Sequence, residues 1–368
     1  MKNVILIAVL LIISSSEVFP QETNENSLIE KFLMNTKLIT TMDVYYSYDF
    51  ATNQNPKANE RRLAGSAPFN NEFRLNYFSF EMQHNSNKLR FAGGLHFGDV
   101  PQLRTPVEKQ VIRTIKKAYF GYKTGENSWL DFGYIGSPFG FESIGIDNWF
   151  TNTSIASFCQ PGNILGIRYQ SVFSEELSYQ ISLHNSYNVL SANNTNKSLG
   201  LSLQYKPSKK LTINYTNEVG DEGENYGKSY FNIFNNLVLT FIPTDFLTII
   251  AQIDYSMQAN SKKNSPDKPA SFYSGLIAFR LSVTERLKLS IMGDMINDPD
   301  GFITGGIYQT NNGLKTYAIT TGLHYFLLDE ASIKLEYQYT EADQDIFIRE
   351  GKRRNNFTFS TNVKLSSK

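Results

Sequence analysis

The chain has 368 residues, and its 35 Lys or Arg balance 35 Asp or Glu, so it lacks the basic surplus that a nucleic-acid partner would demand. Aromatic residues reach 14 %, with 21 Tyr and 27 Phe, which suits strands and the aromatic girdles of a barrel. The one cysteine, Cys159, excludes an intrachain disulfide. Length alone would allow two domains, but all-β barrels of this size fold as one unit.

The chain opens with Lys2, an apolar run from Val4 to Ile13, three serines and a polar turn at Gln21. This is the pattern of a secretory signal peptide over residues 1–20. An uncleaved anchor is the alternative, but the run is about half of the roughly 20 residues that a spanning helix needs. Residues 21–37 read as a periplasmic leader, in which the stretch from Ser27 to Met34 has the spacing of one or two helical turns, with an ordinary flexible leader as the alternative. Nothing later in the chain is apolar for long enough to cross as a helix, so an integral protein would have to be a closed barrel, over residues 38–368.

From residue 38 onward, apolar and polar side chains alternate with a period of two in about sixteen segments, each of roughly ten residues. In one segment Leu199, Leu201, Leu203 and Tyr205 oppose Ser198, Gly200, Ser202 and Gln204. In another, Ile333, Leu335, Tyr337 and Tyr339 oppose Lys334, Glu336, Gln338 and Thr340. Nearly every segment has an apolar face, and the opposite faces are too polar to pack on each other. Lipid outside and water inside satisfy both.

The connections sort into two kinds in strict order. Tight ones fall at 84–87, 125–127, 174–176, 207–210, 243–245, 284–286 and 329–331; long ones rich in Gly, Pro, Asn and charge lie between them. The expected fold is therefore all-β: a transmembrane antiparallel up-and-down β-barrel of about sixteen strands with short periplasmic turns and long extracellular loops. With both termini on the short-turn rim, the strand number must be even.

A charge on the lipid face costs about 2–4 kcal/mol at mid-membrane. The register accordingly turns Asp43, Arg74, Arg90, Lys117, Asp131, Arg168, Asp254, Arg280, Lys288, Asp294, Lys334 and Glu336 inward, as a pore lining of mixed sign. The second segment breaks phase, because Phe73, Leu75 and Tyr77 are followed by Phe78, Phe80 and Met82; a bulge would reconcile them.

Catalytic patterns are missing from the sequence: His84, His96, His184 and His324 form no metalloprotease motif, and no nucleophile elbow or phosphate-cradling loop occurs. No enzyme, cofactor or resident metal is expected. The pair Asp298 and Asp300 beside Gly301 offers oxygen ligands to calcium but lacks the rest of such a loop, and reads as a solvated turn. Basic residues gather on the long-loop side, at Arg61 and Arg62, Lys262 and Lys263, and Arg349, Lys352, Arg353 and Arg354. The last cluster is a candidate contact for lipopolysaccharide phosphates, since guanidinium forks pair with phosphate; plain solvated loop charge is the alternative. The longest connection, 136–162, is dense in aromatics and glycine and reads as an ordered loop rather than disorder; following the fifth segment, it has the length either to fold inward and narrow the channel or to stay outside the lumen.

That loop and its flanks carry a resemblance. Asp131-Phe132-Gly133-Tyr134, Pro138-Phe139-Gly140-Phe141-Glu142, Asn148-Trp149-Phe150, and Pro161 leading to Gly166-Ile167-Arg168-Tyr169 resemble, in order and spacing, the Bacteroidota outer-membrane proteins grouped as putative β-barrel porin-2, OmpL-like. The resemblance covers residues 131–170. It implies a diffusion porin in a Gram-negative outer membrane, with Glu142, Trp149 and Arg168 near the mouth or constriction. Pro138, Phe139 and Asp147 complete the expected constriction loop. One departure is the C-terminus, which ends Leu365-Ser366-Ser367-Lys368 rather than on the aromatic that such strands commonly carry.

The expected function is passive diffusion of small hydrophilic solutes and ions, with outer-membrane lipid and lipopolysaccharide as surroundings and a homotrimer as the oligomer by analogy. The alternatives are a narrow or closed barrel that binds a ligand or partner through its extracellular loops, a barrel enzyme whose Ser, His and acid come from separate strands, and a soluble secreted sandwich.

Overall fold

The structure, a computed structural model, describes residues 25–50, 63–104, 108–191, 194–223, 228–304, 313–347 and 351–367. The expected signal peptide, Arg61, Arg62 and Arg349 lie outside the described residues. Two compact units divide between Thr36 and Lys37. The first holds a helix, α1 (Glu25–Met34), whose last turn is closed by Asn35 Nδ2 donating to the Lys31 carbonyl at 2.8 Å and Thr36 Oγ1 donating to the Phe32 carbonyl at 2.6 Å.

The second unit is formed by the alternating segments. They become β1 (Thr36–Asp49), β2 (Phe73–Asn85), β3 (Leu89–Phe97), β4 (Ile115–Gly125), β5 (Ser128–Gly136), β6 (Asn163–Val172), β7 (Leu177–His184) and β8 (Ser198–Ser208). After them come β9 (Leu211–Asp221), β10 (Phe231–Thr244), β11 (Leu247–Gln258), β12 (Ala270–Ser282), β13 (Leu287–Asp298), β14 (Leu314–Leu328), β15 (Ala331–Ala342) and β16 (Arg353–Ser366). Each strand pairs with its chain neighbours, and β1 closes on β16 from Ile39 opposite Ser366 to Asp49 opposite Asn356. Closure pairs every strand edge, the condition for sheet in a membrane.

One face of each strand presents apolar side chains outward. Leu237, Ile253, Ile277, Ile291, Ile319 and Leu335 are all exposed there, an arrangement that water would disfavour and lipid accepts. The short turns close on serine and threonine. Ser174 Oγ accepts from the Leu177 amide at 3.1 Å, and Thr284 Oγ1 accepts from the Leu287 amide at 2.9 Å, so local hydroxyls replace the missing ladder.

Phase reversal in β2 is real: consecutive Asn76 and Tyr77 are both buried, with Phe73 and Leu75 exposed before them and Phe80 exposed after. The last strand starts earlier than the alternation suggests. Arg353 and Arg354 are strand residues, and the period of two then turns Arg354 inward, where it is 2 % exposed.

The expectation of a polar inner face needs correction. On β10–β14 the inner face carries Phe234, Val238, Ile250, Phe272, Leu276, Ala278, Met292, Ile296, Leu314 and Ala318, all buried. These buried apolar side chains interleave with buried polar ones such as Asn236, Asp254 and Asp294, and something inside the barrel must cover them.

Candidate functional site

The cover is the connection between β5 and β6. It leaves β5 at Gly136 and crosses to the far wall. Phe139 meets the Phe234 ring with centroids 5.2 Å apart, and the Gly140 amide donates to Asn236 Oδ1 at 3.2 Å. A short 3-10 turn, Gly145–Asp147, then reaches the periplasmic end. There Lys334 Nζ donates to the Gly145 carbonyl at 2.7 Å, and Lys364 pairs with Asp147. Gly145 sits at φ +80° with Thr41 Cγ2 only 2.7 Å from where a Cβ would stand, so a side chain here would force the loop off the wall.

The return leg runs along β12–β16. Phe150 is 1 % exposed and lies flush on Gly322, where an added Cβ would stand 2.9 Å from the Phe150 ring. Glu336 accepts the amides of Thr151 and Asn152, the latter at 2.9 Å, and the Asn152 side-chain Nδ2, also at 2.9 Å. Asp294 accepts the Ile155 amide at 2.7 Å, and Asp254 accepts Gln160 Nε2 at 3.1 Å. Cys159, in the 3-10 turn Ala156–Cys159, is buried among Ile155, Phe234 and Phe272.

This geometry divides the expected pore lining. Asp43, Asp254, Asp294, Lys334 and Glu336 face inward, but each is at most 4 % exposed. Asp254, Asp294, Lys334 and Glu336 anchor the loop, whereas Asp43 is tied to the wall itself, accepting Asn76 Nδ2 of β2 at 2.7 Å; burial corrects the reading of all five as water-lining charges. Glu142 likewise turns back into its own loop, accepting the Ser154 amide at 2.9 Å and Ser154 Oγ at 2.5 Å. Pro138 lies beside β9, its carbonyl accepting Thr216 Oγ1 at 3.4 Å, while Asp147 is exposed and Trp149 half-buried.

The opposite wall, β2–β6, keeps its cations partly exposed over buried carboxylates. Asp131 is fully buried between two arginines: Arg90 donates to both oxygens at 2.7 and 2.6 Å, and Arg168 donates to Oδ2 at 3.0 and 2.7 Å. Arg74 grips Asp99 through two bonds of 2.8 and 2.7 Å. Lys117 and Lys116 reach Glu81 at 3.0 and 3.1 Å. Both lysines can do so because the pairing of β3 with β4 slips between Gly94 and Leu95, spoiling the alternation that would have sent Lys116 outward. Further along, Gln170, Gln180, Ser202, Gln204 and Asn214 on β6–β9 are half-buried and polar. Alternation found Lys117 but missed Lys116, Glu81 and Asp99; a slipped register and an irregular rim leave no period to read.

Of the expected headgroup cluster, Lys352 and Arg353 are exposed. Arg353 Nε lies 3.5 Å from Glu341. Arg354 instead faces the lumen, donating to Gln338 at 3.2 Å beneath Phe347, which removes it from any lipid contact. Both carboxylates of the candidate calcium turn are engaged within the protein: Asp298 accepts the amides of Phe302 and Ile303 at 2.9 Å and Thr304 at 2.8 Å, and Asp300 pairs with Lys262 at 2.7 Å.

A closed barrel of sixteen strands, apolar outside, with a loop laid across its interior and an opposing wall of paired charges, is the architecture of an outer-membrane porin. The chain belongs to the family described as putative beta-barrel porin-2, OmpL-like, which matches residues 36–366. No curated protein matches it. Solved structures share the fold at low identity. The outer-membrane channel DcaP of Acinetobacter baumannii is 12 % identical with a TM-score of 0.60, covering 90 % of this chain and 96 % of its own. Salmonella typhi OmpF, in complex with daunomycin, is 10 % identical with a TM-score of 0.62 over 90 % and 97 %. Vibrio cholerae OmpT, in a trimer form, is 9 % identical with a TM-score of 0.59 over 90 % and 99 %. The protein is thus an integral β-barrel of the outer membrane.

Proposed function

We propose that the protein is a passive diffusion channel for small hydrophilic solutes and ions, exported by a signal peptide within residues 1–20, and narrowed by the loop between β5 and β6. The observation that carries this reading is the asymmetry of the inner face. The loop covers β10–β16, whereas Arg74, Arg90, Lys116, Lys117 and Arg168 keep side-chain exposures of 13–32 % on the opposite wall. Solutes would pass between that wall and the loop. Five cations there meet four carboxylates, Glu72, Glu81, Asp99 and Asp131, which supports weak, slightly anionic selectivity. A homotrimer within lipid and lipopolysaccharide, the latter met by Lys352 and Arg353, completes the reading; OmpT's trimer form supports it by likeness of fold alone.

Refolded protein in a planar bilayer tests it. Discrete conductance steps are expected, and deleting residues 138–160 should enlarge them. A protein that inserts but never conducts would instead favour the narrow binding barrel, a reading to which the extent of the loop's coverage lends some support.

A further inference from the structure

Behind the loop tip, at the short-turn end of β12–β14, lies a second set of nitrogen donors, two of them cationic. Arg280, Lys288 and His324 occupy adjoining inner-face positions: Arg280 pairs with Ser290 across β12 and β13, and Lys288 pairs with His324 across β13 and β14. Every cation of the β2–β6 wall described above has a carboxylate partner. Among the described residues, Arg280 and Lys288 have none within salt-bridge distance, although both are only half-buried. Lys334, next to His324 on β15, is held by the Gly145 carbonyl and stands apart from this set.

The donors are also unspent. Arg280 donates one NH2 to His324 Nδ1 at 2.7 Å. Arginine can only donate, so Nδ1 accepts and the imidazole proton sits on Nε2. His324 is 1 % exposed, and its Nε2 has no hydrogen-bond partner; nor has Arg280 Nε, nor the hydroxyls of Ser290 and Ser332. The Lys288 ammonium uses one donor, to Ser282 Oγ at 3.0 Å. The Arg280 guanidinium lies 5.5 Å over the Trp149 ring, which covers its face and leaves its edge for in-plane bonding. Buried donors without acceptors are costly, and a bound anion would satisfy them.

We propose that Arg280, Lys288 and His324 form a binding site for a small oxyanion, a phosphate or a carboxylate, at the periplasmic end of the channel. The guanidinium edge would take two oxygens and the ammonium a third, while neutral His324 supplies a further N–H. Passing anions would pause there before leaving. This deepens the channel reading and rests on it, but binding itself does not require conductance.

Trp149 supplies the readout. In a Trp129→Phe background it is the single tryptophan, since the chain has 2. Inorganic phosphate and succinate are titrated separately into the refolded protein, with sodium chloride at matched ionic strength as reference. A saturable change in Trp149 emission with either oxyanion is expected, and the stronger of the two identifies the ligand class. Arg280→Gln with Lys288→Gln should weaken it about tenfold or more, as loss of charge-assisted bonds predicts. Lys288→Gln alone, at a half-exposed position, should weaken it several-fold and serves where the double variant does not refold. A linear response equal to that of chloride, or the same midpoint in the variants, overturns the site. In bilayers, phosphate on the periplasmic side should reduce chloride current in the wild type only. Saturable binding without conductance would sink the channel reading and leave the site standing.

Discussion

Glu336 on β15 holds Asn152 twice, through the backbone amide and the side-chain amide, each at 2.9 Å and across 184 residues of chain. A carboxylate on the barrel wall thus fixes the far leg of a loop that starts from β5. Hydrogen bonds to a charged group contribute about 1.5–3 kcal/mol each, so Glu336→Ala should loosen this leg and also strip the adjacent Lys334 of a counter-charge. The expected phenotype is an intact barrel with larger, noisier single-channel steps. Unchanged conductance would show that the loop does not set the aperture.

Phe150 tests the apolar half of the same attachment. It is buried against Gly322 among Val238, Leu276 and Met292, and Phe→Ala in such a setting costs about 3–5 kcal/mol. Phe150→Ala should expose residues 137–162 to protease in the folded barrel. Gly322→Val should do the same from the opposite side of the contact, and protection equal to wild type in both would refute the packing.

Asp131 tests selectivity. Replacing it with Asn leaves Arg90 and Arg168 facing the lumen without their shared carboxylate. The reversal potential in a potassium chloride gradient should move toward chloride. Arg168→Gln should move it the opposite way, and a common direction for the two would contradict the placement of these charges beside the solute path.

Cys159 reports on loop docking. Burial, with Asp254 and Asp298 adding to it, pushes the thiol well above its usual range, and the thiolate is the reactive form. Maleimide should leave the folded protein unlabelled at neutral pH and label it fully after denaturation. In Glu336→Ala the labelling rate should rise by at least about tenfold as the loop opens.

The barrel was legible because its cause is local. A period of two with lipid on one side dictates which residues face out, as in Ile333 to Thr340, and tight turns announce themselves through Ser174 and Thr284. The site was legible only in outline. Residues 136–162 stand out by length and aromatics, but what they dock against depends on strands about one hundred or more residues later. A usable signal does exist: β10, β12 and β13 lose their alternation where Phe234, Leu276 and Met292 occupy inward positions. A lumen strand with apolar side chains on its inner face marks a surface awaiting a loop. Arg354 was misplaced because β16 begins inside a run of charge, where polarity hides the start of the period.

The apolar inner patch also sets an order of events. It belongs to β10–β14, while its cover is made earlier in the chain, between β5 and β6. Contacts so distant in sequence form slowly, because their loop-closure entropy must be overcome first. The wall that receives Phe150, Ile155 and Gln160 must exist before they can settle, and Asp147 and Thr151 further need β16, the last strand to be made. The barrel is therefore built around an unfinished interior, and the aperture is the last part of the molecule to take shape.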